Sequence, residues 1–89
     1  MQTSEQFIEA LNRKDISADH TLFKDYYVSL VMYAMHYVCQ EEAEDIVQDL
    51  IMSIWEKSLC FPSPLSFQSF LYTSIKNRSF NYIKHKKAE

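Results

Sequence analysis

The chain has 89 residues, enough for one domain, and at 47% hydrophobic and 15% aromatic it can bury a single core without staples. It holds no glycine and only two prolines, at positions 62 and 64, and no alternating strand pattern, so helices joined by short polar loops are expected rather than sheets. The net charge of −3 is unevenly spread: residues 1–74 carry four basic against eleven acidic side chains (−7), and residues 75–89 carry five against one (+4). An acidic body with a basic end suggests two different partners, one of them polyanionic, beside the plainer reading of a solubilising tail.

In chain order, Thr3 with Gln6 three residues on has the form of a capping box, and Phe7, Ile8 and Leu11 give a first short helix one apolar stripe. Residues 15–20 read as a polar connection, with Asp19 or Thr21 available to cap a second helix over about residues 21–38. That helix carries Leu22, Phe23, Tyr26, Tyr27, Leu30, Val31, Ala34, Met35 and Val38 on a broad face, read as core and not as a ligand site. The link Cys39-Gln40 is so short that the third helix must fold back nearly antiparallel.

The third helix, 41–57, repeats Ala43, Ile46, Val47, Leu50, Ile51, Ile54 and Trp55 at the spacing of one face, with acids crowding its first turn where the helix dipole favours them. Asp45, Gln48, Asp49 and Met52 fall on a second, patterned face, which is either plain solvated surface or a docking site. Residues 58–66 then hold both prolines and form an extended loop, in which Leu59, Phe61 and Leu65 either tuck into the core or wall a pocket.

Ser66 is expected to cap a last helix from Phe67 to about Lys86, with Phe67, Phe70, Leu71, Ser74 and Ile75 facing inward. Its second half interleaves Tyr72, Lys76, Asn77, Arg78, Phe80, Asn81, Tyr82, Lys84 and His85. Bases suit phosphates, amides suit base edges and rings suit stacking, which together are the requirements of single-stranded nucleic acid binding. The fold class is therefore all-α, a compact bundle of about four helices.

Several classes are set aside. Cys39 and Cys60 match no metal or redox spacing, and His36 with Cys39 supplies only two candidate ligands, so neither metal nor cofactor is expected. Isolated cysteines without an export signal fit a reducing, cytoplasmic setting. The most apolar span, 26–38, is interrupted by Ser29 and His36 and is too short to cross a bilayer. No nucleophile with a base, carboxylate pair in a cleft or glycine loop supports an enzyme.

The order of these pieces resembles region 2 of bacterial sigma factors of the sigma-70 family, most closely the extracytoplasmic-function (ECF) group. The resemblance rests on "FKDYYVSLVMYAMHYV", then "AEDIVQDLIMSIWEK", a proline-bearing loop, and "SFQSFLYTSIKNRSFNYIKHKK". It implies a transcription initiation domain over residues 1–89, divided into an N-terminal helix and connection (1–18), a helical hairpin (19–57), a loop (58–66) and a DNA-facing helix (67–87). It further implies that Asp45, Gln48, Asp49 and Met52 bind the clamp coiled coil of the RNA polymerase β′ subunit, where acids and amides suit arginines.

By the same resemblance, Phe61, Leu65, Tyr72, Lys76, Asn77, Asn81, Lys84 and His85 meet promoter DNA, recognising and melting the −10 element and holding its non-template strand. Asn77 matches the position that reads a flipped base, whose unstacking costs a few kcal/mol. An anti-sigma factor is a possible further partner.

The chain departs from the family at three places: Phe70 stands where Trp is common, Lys84 where Arg is, and Asn81 where Asp is. Lys84 keeps a phosphate contact but not bidentate geometry. The family also implies a second helical domain for the −35 element, so the chain is expected to be part of a longer protein. The alternative reading is a protein-binding helical adaptor or regulator with no direct DNA role. It gains if Lys76, Asn77, Asn81 and Lys84 scatter around their helix, and loses if they share one exposed face beside the loop. A helix-turn-helix duplex reader fits less well, because the loop is long and carries prolines.

Overall fold

The computed structural model describes residues 3–88, with side chains through Lys86; Lys87 of the expected basic end therefore lies outside the described side chains, and Glu89 outside the described residues. Among the described residues the chain forms four continuous helical runs and no strand, an all-α bundle.

Helix α1 spans Ser4–Asn12 and starts from the capping box: Gln6 N–H donates to Thr3 Oγ1 and Thr3 N–H to Gln6 Oε1. A cap contributes about 1 kcal/mol, whereas each fully buried aliphatic or aromatic side chain contributes about 1.5–3 kcal/mol. The helix is therefore held chiefly by Phe7, Ile8 and Leu11, all buried. It closes in a Schellman turn, with Asp15 N–H on the Ala10 carbonyl and Lys14 N–H on the Leu11 carbonyl. Lys14 takes the left-handed position, at φ 59°.

Helix α2 runs over residues 16–34 as Ile16–Thr21, a π-helical segment Leu22–Tyr26, and Tyr27–Ala34. It begins earlier than the expected start near Thr21, because Asp15 caps it by accepting from Ser17 N–H. The π segment holds more residues per turn and rotates the face. Leu22, Leu30, Val31 and Ala34 are buried as expected, whereas Phe23 and Met35 are exposed. The helix stops at Ala34 and not Val38, since His36 and Tyr37 tighten the end with bonds to the Tyr33 and Ala34 carbonyls.

Helix α3, Gln40–Glu56, buries Ala43, Ile46, Val47, Leu50, Ile51 and Ile54, the face its periodicity predicts. It too ends in a Schellman turn, Leu59 N–H to Ile54 O and Ser58 N–H to Trp55 O, with Ser58 at φ 51°. Helix α4, Pro64–Ala88, starts before the expected Phe67: Ser63 is the cap, accepting from Ser66 N–H, and Pro64 takes the first position, where a missing N–H costs nothing.

Gln48 of α3 reaches Tyr27 of α2 at similar distances from the connecting turn, so these helices are antiparallel. Ring pairs Tyr26–Phe67, Tyr33–Tyr72 and Tyr37–Phe80 ascend together, so α2 and α4 run parallel. Phe7 of α1 stacks on Tyr26 at 5.3 Å and meets Phe67 edge-on at 5.6 Å, which closes the bundle at that end.

Candidate functional site

Two polar surfaces stand on different helices. On α3, Asp45, Gln48, Asp49 and Met52 are all exposed. Their offsets of three and four put them on one stripe, opposite the buried Val47, Leu50 and Ile54. Gln48 Nε2 donates to the Tyr27 hydroxyl at 3.2 Å, which steadies the amide from the neighbouring helix. Asp45 and Asp49 lie one turn apart and are exposed, an arrangement suited to charge-assisted bonds from guanidinium groups. Met52, 54% exposed, adds an adaptable apolar contact at the end of the stripe.

On α4, Lys76, Asn77, Asn81, Lys84 and His85 are exposed. Asn77, Asn81 and Lys84 follow i, i+4, i+7 and share one stripe. Lys76 and His85 flank Lys84 on opposite sides, at about 80° and 100° around the helix. Toward the helix start the stripe runs through Thr73 into an open depression lined by Leu65, Ser66, Ser69, Phe70, Thr73 and Ser74. The Lys76 ammonium sits 5.8 Å above the Phe80 ring. Phe80 is 47% exposed and leans edge-on against Tyr37.

Two expected DNA contacts sit differently. Phe61 is buried, its ring against Phe67 at 4.9 Å and Phe70 at 5.1 Å, so its side chain belongs to the core and is not offered to a ligand. Burying an aromatic ring of this size outweighs any gain from leaving it at the loop mouth. Tyr72 is half-buried, edge-on to Tyr33 at 4.8 Å, on the α2 side of the helix and off the Asn77 stripe. Leu59 is half-buried, and Leu65, expected in the loop but lying in the first turn of α4, is 73% exposed and walls the depression.

Arg78 and Tyr82 turn from the basic half of α4 toward α3. Arg78 Nη2 donates to Ser53 Oγ at 3.1 Å, and the Tyr82 hydroxyl to Glu42 Oε1 at 2.7 Å. That bond, followed by Glu42's own backbone N–H and the charge of Lys86, holds the Glu42 carboxyl below its ordinary value. Spacing alone did not reveal these links, since both partners also fit an outward-facing basic helix. Asn12 and Lys14 were missed as well: they bind the loop from the end of α1, across more than forty residues of sequence.

Among the described residues no three His, Cys, Asp or Glu side chains gather to hold a metal ion, and Cys39 and Cys60 are free and exposed. No described helix is long and apolar enough to cross a membrane.

A family model, sigma-70 region 2, matches residues 22–89. The chain belongs to the sigma-70 region 2 family. The match takes in most of α2 and all of α3, the loop and α4, so both exposed stripes lie inside it, while α1 lies outside. No curated protein and no solved structure matches the chain. Sigma-70 region 2 is a non-enzymatic transcription initiation domain that serves RNA polymerase binding and promoter melting.

Proposed function

We propose that this sigma-70 region 2 domain is of the extracytoplasmic-function type, works in the bacterial cytoplasm, and divides its two tasks between α3 and α4. In this reading Asp45, Gln48, Asp49 and Met52 dock on the β′ clamp coiled coil. Asn77 reads a base flipped from the non-template strand of the −10 element, with the depression behind Leu65 receiving it. Asn81 supports the same edge, Lys76 and Lys84 hold phosphates, and His85 and the exposed edge of Tyr72 lie farther along the strand's path. Phe61 shapes the loop from inside.

The observation that carries the reading is the stripe Asn77–Asn81–Lys84, exposed and continuous with the depression on the first turns of α4, within the matched segment. Lys76 is also exposed, at the flank of that stripe. Three of the four residues named for this choice, Asn77, Asn81 and Lys84, share one exposed face, and Lys76 stands about 100° round from Asn77; the three-residue face favours DNA binding over the adaptor alternative.

The test is transcription in vitro by core polymerase with this protein on a cognate promoter. Asn77→Ala is expected to cut initiation about tenfold or more, the value of lost base-edge bonds, and to leave polymerase binding intact. Asp45→Ala/Gln48→Ala is expected to lose polymerase binding first. Unchanged initiation by Asn77→Ala removes the base-reading assignment.

A further inference from the structure

The loop that leads into α4 is held from outside the family unit. Asn12, the last residue of α1, pairs its side-chain amide with both backbone polar groups of Phe61: Nδ2 donates to the Phe61 carbonyl at 2.8 Å, and Phe61 N–H donates to Oδ1 at 2.8 Å. The amide thus substitutes for a neighbouring backbone strand. Lys14 adds a second anchor. Its Nζ donates to the Leu59 carbonyl at 2.7 Å and to the Leu11 carbonyl at 3.2 Å, and stands 5.9 Å over the Trp55 ring. Lys14 takes the left-handed backbone position at the end of α1, φ 59°.

These bonds fix residues 59–61 of a segment that has no regular structure of its own. With its backbone pinned, Phe61 turns its ring inward, onto Phe67 and onto Phe70, which itself lines the depression beside Leu65. The loop's far end is closed by Ser63, which caps α4. The path of the loop, and with it the packing of Phe61 behind Phe70 at the depression, is therefore set before any ligand arrives. Ordering a residue's backbone costs about 1–2 kcal/mol, and a loop ordered in advance does not incur that cost on binding.

We infer that Asn12 and Lys14 are positioning residues that pre-form the loop over 58–63 for the displaced promoter strand, making α1 a working part of promoter opening although it lies outside the family match. This rests on the promoter reading above.

The experiment uses this protein with core polymerase and a promoter fragment on which the wild type initiates, found by run-off transcription of genomic fragments. Asn12→Ala, and Asn12→Asp, which keeps the acceptor but loses the donor, are compared with Ile8→Val, a core change in the same helix that spares the loop bonds. Amide exchange at Phe61, polymerase binding and the rate of promoter opening are read together. Faster Phe61 exchange and opening slowed on the order of tenfold are expected for both Asn12 variants, with polymerase binding and core amides unchanged and with Ile8→Val opening like the wild type. Wild-type opening rates in Asn12→Ala despite a deprotected Phe61 amide overturn the inference, as does Phe61 exchange that Asn12→Ala leaves unchanged. Equal slowing by Ile8→Val also overturns it, since general stability then explains the effect. A wild type that binds polymerase but initiates on no fragment sinks the promoter reading and this inference with it, and that failure is visible before any variant is made.

Discussion

The Tyr82 hydroxyl donates a 2.7 Å hydrogen bond to the Glu42 carboxylate, joining the basic half of α4 to the first turns of α3. With Arg78 on Ser53, it fixes α4 against the helix that carries the acidic stripe at two points well separated along α3. The two stripes thus keep a set relation to one another, as a factor that holds polymerase with one face and DNA with another requires.

That bond has a pH signature. Glu42 is held below its ordinary value of 4.5, first by Tyr82, then by its own backbone, and also by Lys86. A carboxyl with a depressed folded value binds fewer protons folded than unfolded. Its contribution is therefore complete above about pH 4.5 and is lost as pH falls through the depressed value. Tyr82→Phe is expected to move the Glu42 titration upward, as followed by carboxyl-carbon NMR, and to flatten the acid limb of stability. Asp15, lowered by its bond from Ser17, acts in the same direction and is unaffected by that change.

The two left-handed helix ends respond oppositely to glycine. At Ser58, φ 51°, glycine removes a steric cost of roughly 1–2 kcal/mol and adds about 0.5–1 kcal/mol of unfolded-state entropy, so Ser58→Gly is expected to gain up to about 1 kcal/mol in urea unfolding. Lys14→Gly gives the same backbone relief but deletes the ammonium bonds to Leu11 and Leu59, and is expected to lose about 1–2 kcal/mol net.

Ser79 is fully buried, and its hydroxyl has no hydrogen-bond partner among the described residues. An unpaired buried polar group costs about 1–3 kcal/mol. Ser79→Ala removes it without adding volume, and is expected to raise stability by about 1 kcal/mol without altering polymerase binding.

Lys84 and Asn77 separate by salt. Lys84→Ala is expected to weaken binding across promoter sequences and to reduce the salt slope of log K by about one, whereas Asn77→Ala weakens binding at one base position and leaves the slope alone. Titrations of holoenzyme on promoter fragments at several salt concentrations read both.

Local signals were legible in the residues, and long-range ones were not. The Thr3–Gln6 box and the buried run from Ala43 to Ile54 follow from spacing within a few turns. The stripe Asn77–Asn81–Lys84 is likewise simple helical arithmetic. The starts of α2 and α4 were displaced because each had several eligible caps: Asp15 beat Asp19, and Ser63 beat Ser66 once Pro64 took the first helical position. The π segment leaves no mark in composition, and Phe23, which lies in it, is exposed where the spacing predicts core. The backbone of the inward-facing Phe61 is bonded to Asn12, 49 residues earlier, which no local pattern encodes.

The central claim, that the exposed face of α3 docks on polymerase, is tested most directly by pull-down of this domain with the isolated β′ clamp coiled coil, wild type beside Asp45→Ala/Gln48→Ala. These side chains are exposed, so the double variant is expected to fold as the wild type does. Capture by the wild type and its loss in the variant is the predicted result. Failure of a well-folded wild type to bind, or undiminished capture by the variant, contradicts it.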